Sequence, residues 1–146
     1  MPTSEPKRWD GAYAAHLGMT AEHTEPGLAR TRVTVQPFHL HGGGVMHGGL
    51  LVTLADSAMS RSLMMMIEPG QSTTTIEMKV NFMRPAMLGE EIVAEAKVVQ
   101  KGKSIAVVEA EVRNMATGKV LLKGLCTCMI LNAPQGKGKE KATSTS

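Results

Sequence analysis

The stretch HGGGVMHGGLLVTLAD, residues 41–56, gathers two histidines, five glycines and a carboxylate around the start of an apolar run. Gly48 and Gly49 fall where a helix would begin. The first backbone N–H groups of a helix have no partner inside it, and the macrodipole places partial positive charge there. Glycine lets another group approach that backbone closely. Such a terminus can hold a phosphate or polarise a carbonyl as an oxyanion hole does. Asp56 lies eight residues beyond Gly48, which is about 12 Å along one helix. The two cannot touch one reacting atom. If both serve one site, they come from different copies of the helix, as an antiparallel pair in a two-fold dimer would allow. The plain alternatives are tight packing for the glycines and a solvated Asp. Asp56 stands among Leu54, Ala55, Ala58 and Met59, however. It is expected to be partly buried, and a buried carboxylate needs a partner or a raised pKa.

One long helix must carry these residues. In HGGLLVTLADSAMSRSLMMMI, Leu50, Leu51, Leu54, Ala55, Ala58, Met59, Ser62, Met65 and Met66 recur at helical spacing. Glu68-Pro69-Gly70 should end it. The run is apolar over much of its circumference, so one sheet would cover only part of it and a second subunit is expected on the rest. Upstream, residues 12–19 could form a short helix or the start of a strand. Residues 27–37 read as a strand with Ala29, Thr31, Val33 and Val35 on one face. Downstream the pattern alternates. Residues 73–83 place Ile76, Met78, Val80 and Phe82 on one face. EIVAEAKVVQKG, SIAVVEAEVRN and VLLKGLCTCMIL read as a meander of two hairpins. One central helix against a long antiparallel sheet is an α+β layout.

The chain has 146 residues, enough for one domain with a real core. Met outnumbers Phe, Trp and Tyr together, so the core must come from aliphatic residues and Met. The net charge of +3 owes much to Lys137, Lys139 and Lys141 in a terminal segment with almost nothing to bury. The expected division is an N-terminal segment 1–16, one domain 17–132 and a disordered basic tail 133–146. A nucleic-acid partner is not expected, for want of a basic face with aromatics. No apolar run approaches a membrane span and no secretory h-region stands at the start. Cys126 and Cys128, two apart on a strand, make a poor disulfide pair. A cytoplasmic location is the expectation.

HGGLLVTLADSAM, followed by IEMKVNFMRPAMLGEEIVAEAKVVQKGKSIAVVEAEVRNMATGKVLLKGLCTCMI, resembles the hotdog-fold acyl-CoA thioesterases. The likeness is to the phenylacetyl-CoA and 4-hydroxybenzoyl-CoA thioesterase-like branch, and it spans residues 17–131. It implies a helix wrapped by a curved antiparallel sheet of five to six strands, paired into homodimers and often homotetramers. It implies that the Gly48 N–H meets the thioester carbonyl. It implies that Asp56 of the other subunit attacks, or activates water. A hydroxyl early in the next strand often assists, here Thr75, with Thr74 as the alternative register. His47 would orient the loop or bind near the thioester, and Gly49 would lie beside it. No cofactor is implied, coenzyme A being part of the substrate. The family often carries Asn or Gln six or seven residues before the His of His-Gly-Gly; here those positions hold His41 and Leu40. His41 could replace that donor.

Other residues have two readings each. Met59, Met64, Met65 and Met66, with Met78 and Phe82, are core by spacing but could line an acyl tunnel. Arg84 could contact coenzyme A phosphates, together with Lys101, Lys103 or Arg61, or could simply be solvated. His39, His41 and His47 with the cysteines lack the spacing of a known metal motif, and no metal is expected. The expected reaction is hydrolysis of an acyl-CoA or related thioester to free acid and thiol. A non-catalytic acyl-CoA-binding module is one alternative. A hydratase acting on enoyl thioesters is another, disfavoured because His47 and Asp56 are nine residues apart.

Overall fold

The computed structural model describes residues 11–132. A short helix α1 (Ala12–Leu17) leads into strands β1 (Thr20–Glu25) and β2 (Leu28–Thr34), then a 3-10 turn at Pro37–His39. Helix α2 (Gly48–Met64) follows, then β3 (Ser72–Phe82), β4 (Glu91–Lys101), β5 (Ile105–Asn114) and β6 (Val120–Leu131). All pairings are antiparallel, in the order β1-β2-β4-β5-β6-β3. The α+β arrangement is the one expected, with six strands in one sheet. The β4-β5-β6 meander is as read from the alternation. Residues 12–19 resolve as helix and then strand. Nothing in the polar sequence TAEHTE marks β1, which exists because the Pro26-Gly27 turn folds it back onto β2. The lysines of the end segment lie outside the described residues, as does the expected tail 133–146.

The sheet can approach the helix closely because its inner face is built from small residues. Ala29, Ala94, Ala96, Ala106 and Ala110 are buried there, between Val33, Ile92, Val108, Val112 and Leu122. At Gly124 a Cβ would come within 3.0 Å of Val80 Cγ1 and 3.6 Å of Met59 Cε. The strand thins at that point and the Met59 side chain fills the space. Leu54, Met59 and Leu63 of α2 are fully buried, each contributing roughly 1.5–3 kcal/mol of apolar burial. Polar ties fix the helix laterally. The Thr31 hydroxyl donates to the Leu54 carbonyl at 2.8 Å, and the Gly27 N–H donates to the Ser62 carbonyl at 2.9 Å.

Two expectations are corrected. The helix is not broadly apolar on a second face: its buried apolar residues serve the sheet side, and Thr53, Asp56, Ser57 and Ser60, small or polar, occupy most of the other, half-buried, with Met64 at its end. A surplus of apolar helix surface is therefore no argument for a second subunit. The other correction concerns β3. Its register against β6 shifts between Thr75 and Glu77, so Ile76 is a bulge residue without a partner. A bulge reverses the inside–outside phase. Thr75 and Met78 both turn inward, and Ile76 is 50% exposed rather than on the face of Met78 and Val80.

Candidate active site

The loop before α2 is braced by two backbone hydrogen bonds. The Met46 N–H donates to the Ala86 carbonyl, and the His47 N–H donates to the His39 carbonyl. His39 is buried and satisfied, its Nδ1 accepting from the Gln36 N–H and its Nε2 lying 2.8 Å from the Leu17 carbonyl. The glycines accommodate histidine rings. His41 Nδ1 accepts from the Gly43 N–H at 2.7 Å, and a Cβ at Gly43 would sit 2.5 Å from that ring. His47 is the N-cap of α2: its Nδ1 accepts from the Gly49 N–H at 2.9 Å, and a Cβ at Gly49 would lie 2.9 Å from that nitrogen. With Nδ1 accepting, each neutral ring carries its proton on Nε2. The two rings stand edge to face with centroids 6.4 Å apart, so His41 does lie beside the helix start.

The cap leaves one donor over. Gly49 N–H goes to His47 Nδ1 and Leu50 N–H to the His47 carbonyl, while Gly48 N–H makes no hydrogen bond among the described residues. The Phe82 ring lies against Gly48, where an added Cβ would be 3.1 Å from Cε1. Replacing His47 separates capping from chemistry. His47→Ala should lower the unfolding free energy in urea by about 1 kcal/mol, and His47→Asn should restore most of it, since Asn caps well. Equal stability of the two variants would show that the cap contributes nothing.

Asp56 is half-buried two turns further along α2, and the Thr75 hydroxyl donates to its Oδ1 at 3.0 Å. The bulge at Ile76 is what turns Thr75 inward; Thr74 is exposed and has no such contact with Asp56 among the described residues. Asp56 also opens on a cleft of about 240 Å³ between α1 and α2, lined by Tyr13, Met19, Ser57, Arg61 and Met64 among others. Burial lowers the Arg61 pKa. The Tyr13 hydroxyl lies 3.3 Å from Thr53 Oγ1 and closes one wall. Nothing in the sequence pattern announces Tyr13 or Ser57 as lining residues, because the packing of α1 on α2 creates the cleft.

One chain thus carries two half-sites. Gly48, Gly49, His41, His47 and Phe82 gather at the helix start, and Asp56, Thr75 and the cleft lie two turns away. Other candidates fall elsewhere. Met59 is sealed in the core and lines no open surface. Arg84 is exposed beyond β3 and donates to the Val120 carbonyl at 2.8 Å. Lys101 and Lys103 flank the exposed β4–β5 turn. Cys126 and Cys128 are free and buried.

Comparison with known proteins identifies the family and the fold. A sequence profile described as the thioesterase superfamily matches residues 43–120. Acyl-coenzyme A thioesterase 13 of Homo sapiens is 34% identical over 106 residues, 73% of this chain and 75% of that protein. Acyl-coenzyme A thioesterase PaaI of Escherichia coli is 28% identical over 124 residues, covering 80% of this chain and 86% of that one. Among solved structures, a mutant of the phenylacetic acid degradation protein PaaI of Thermus thermophilus superposes with a TM-score of 0.77 at 26% identity. That match covers 83% of this chain and 100% of the other. With the matched profile running from the loop glycines through α2 and on to the start of β6, this chain belongs to the thioesterase superfamily and has the hotdog fold.

Proposed function

We propose that this thioesterase hydrolyses acyl-CoA thioesters through a site completed by two copies of the chain. The observation that carries the reading is the split of the half-sites along α2: an unused N–H at Gly48 and a carboxylate at Asp56, about 12 Å apart. The superfamily membership and the acyl-coenzyme A thioesterase names of relatives support the substrate class. The long β3 edge supports the pairing. Among the described residues its outer side has no strand neighbour, and Ile76, Phe82 and Met83 are exposed along it. Such an edge is a template for another strand. Two β3 edges joined about a two-fold axis would continue the sheet and bring two α2 helices side by side, start against middle.

In the proposed site the Gly48 N–H of one copy polarises the thioester carbonyl, and the charge that develops on its oxygen is stabilised by the helix start. Asp56 of the other copy attacks the carbonyl carbon or takes a proton from an attacking water. Thr75 donates to the Asp56 carboxylate and orients it. The C–S bond breaks and the coenzyme A thiolate leaves and takes a proton; where water attacks, the free acid remains directly, and where Asp56 attacks, water then cleaves the acyl–Asp56 anhydride to give the free acid and restore the carboxylate. His47 and His41 direct Nε2–H donors toward the same mouth, His41 in the place of the family's amide. Gly49 and Phe82 border the acyl-CoA there, and Arg84, Lys101, Lys103 or Arg61 would meet the phosphates. A homodimer suffices for the chemistry, and a homotetramer is the expected assembly.

The test is release of coenzyme A thiol from a panel of acyl-CoAs, followed by complementation. Asp56→Asn and Gly48→Pro chains, each inactive alone, are unfolded together and refolded at equal amounts. Half of the dimers then hold one intact site, so about a quarter of wild-type activity should return. No recovery in verified mixed dimers would place both residues in one chain's site or outside the chemistry. Tight binding of acyl-CoA without thiol release would instead favour a non-catalytic binding module.

A further inference from the structure

The cleft beside Asp56 is roofed by α1 and floored by α2. Helical spacing puts Thr53, Ser57, Ser60 and Met64 in one line along the floor, with Asp56 on one flank and Arg61 on the other. Asp56 stands near one end of that line. Thr53 lies three residues to its helix-start side, whereas Met64 lies eight residues beyond it, about 12 Å along the axis. Tyr13 closes the short end. The Thr53 hydroxyl donates to the Gly49 carbonyl at 3.0 Å, so its oxygen accepts from the Tyr13 hydroxyl at 3.3 Å. His39 holds the other end of α1 through the Leu17 carbonyl. Tyr13 nevertheless stays 63% exposed, and α1 buries no residue. An aromatic ring left open on the wall of a cleft is a surface for a ligand to cover. At about 240 Å³ the cleft is smaller than the roughly 300–1,000 Å³ that enclose a drug-sized ligand. It has room for an acyl group and none for coenzyme A.

We propose that the acyl group lies in this cleft, within the copy that supplies Asp56, and that Tyr13 is a specificity-determining residue whose ring covers the first carbons of the chain. The proposal rests on the acyl-CoA hydrolysis described above. With the carbonyl at Asp56 and Tyr13 across the short end, the acyl chain runs toward Met64. The span from Asp56 to Met64 matches an extended, unbranched chain of about ten carbons. The walls suit hydrocarbon: Ala14, Met19, Met64 and the face of the Tyr13 ring. Met64, the last residue of α2, gives the far end an adaptable side chain. Ser57 and Ser60 are small, and that leaves the groove between the two helices open. Coenzyme A then rests on the other copy, beside Gly48. One copy reads the acyl group and the other holds the carrier.

The test compares kcat/KM on decanoyl-CoA and acetyl-CoA. Wild type should favour decanoyl-CoA. Tyr13→Ala removes the ring and should lower the decanoyl-to-acetyl ratio about tenfold, as loss of an aromatic contact would. Tyr13→Phe keeps the ring and should hold the ratio within about threefold, the effect of one neutral hydrogen bond. Ser60→Phe fills the floor one turn past Asp56 and should lower the ratio at least about tenfold. An unchanged ratio in Tyr13→Ala or in Ser60→Phe, or a Tyr13→Phe as impaired as Tyr13→Ala, would overturn the proposal. Mixed dimers locate the cleft. When Asp56→Asn and Gly48→Pro chains are paired, the working site uses the Asp56 of the Gly48→Pro chain. Ser60→Phe should therefore shift the ratio far more on that chain than on the Asp56→Asn chain. Equal shifts from either chain would remove the cleft from the copy that supplies Asp56. A second readout does not need turnover. By calorimetry the non-hydrolysable decyl thioether of coenzyme A should bind wild type more tightly than the ethyl thioether, and Ser60→Phe should shrink the difference. Equal affinities in wild type would overturn the proposal. A clear difference in a chain that releases no thiol would defeat the hydrolysis reading and leave the cleft assigned.

Discussion

Asp56→Asn is expected to lower kcat on every acyl-CoA the protein turns over by at least about a hundredfold. Among the described residues of the Asp56 half-site, the carboxylate is the group suited to attack the carbonyl or to accept a proton from water. Asparagine has the same shape and still offers an Oδ1 to the Thr75 hydroxyl, 3.0 Å away in the native chain. It can do neither chemical task. The side chain is half-buried at the edge of a cleft and takes no part in the sheet-side packing of α2. Stability should therefore change by no more than about 0.5 kcal/mol, and KM should change little, because the lost interaction belongs to the transition state. Thiol-release kinetics and urea denaturation of the same preparation measure both. Near-wild-type turnover in a folded Asp56→Asn protein would remove Asp56 from the reaction.

Gly48→Pro should cost a similar amount for a different reason. It deletes the proposed oxyanion donor, whose removal costs about 10²–10³ in kcat in enzymes of this type of chemistry, yet it keeps the helix. Proline is favoured at the first helical position, where its missing N–H has no intrahelical partner. The residue before a proline must be extended, and His47 already is, at φ −58° and ψ 128°. The control is Gly48→Ala. It keeps the N–H and adds only a Cβ, 3.1 Å from Phe82 Cε1. Phe82 is 56% exposed and its ring can swing aside. The alanine variant should lose far less activity than the proline variant, by thiol release under identical conditions. Equal losses in both would mean that Gly48 serves packing rather than hydrogen bonding.

The difference between those variants bears on why glycines crowd this loop. Gly43 and Gly49 make room for the folded-back rings of His41 and His47, and each ring thereby presents the opposite nitrogen outward. Gly48 differs, since the N–H it exposes is the one the cap leaves unused. The same motif therefore holds two packing glycines and one candidate for chemistry. No feature of residue type tells them apart.

Much of this protein was legible from residue order because it depends on local periodicity. The alternation of Ala29, Thr31, Val33 and Val35 and the helical spacing from Leu50 onward each specify an element from a few neighbouring residues, although α2 ends at Met64, before Met65, Met66 and the expected Glu68-Pro69-Gly70 stop. The eight-residue interval from Gly48 to Asp56 also follows from helical rise alone, and with it the separation of the half-sites. What depends on contacts between distant segments was not legible. The bulge at Ile76 arises from the register of β3 on β6, and it alone turns Thr75 toward Asp56. The small-polar face of α2 became apparent only once the sheet had taken up the buried apolar residues. The cleft walled by Tyr13 likewise comes from a packing of α1 on α2 that no local pattern encodes. Periodicity sets which side of an element is apolar. Only tertiary packing decides which atoms of two elements meet, because that depends on register and on the few ångströms of approach that alanine and glycine permit.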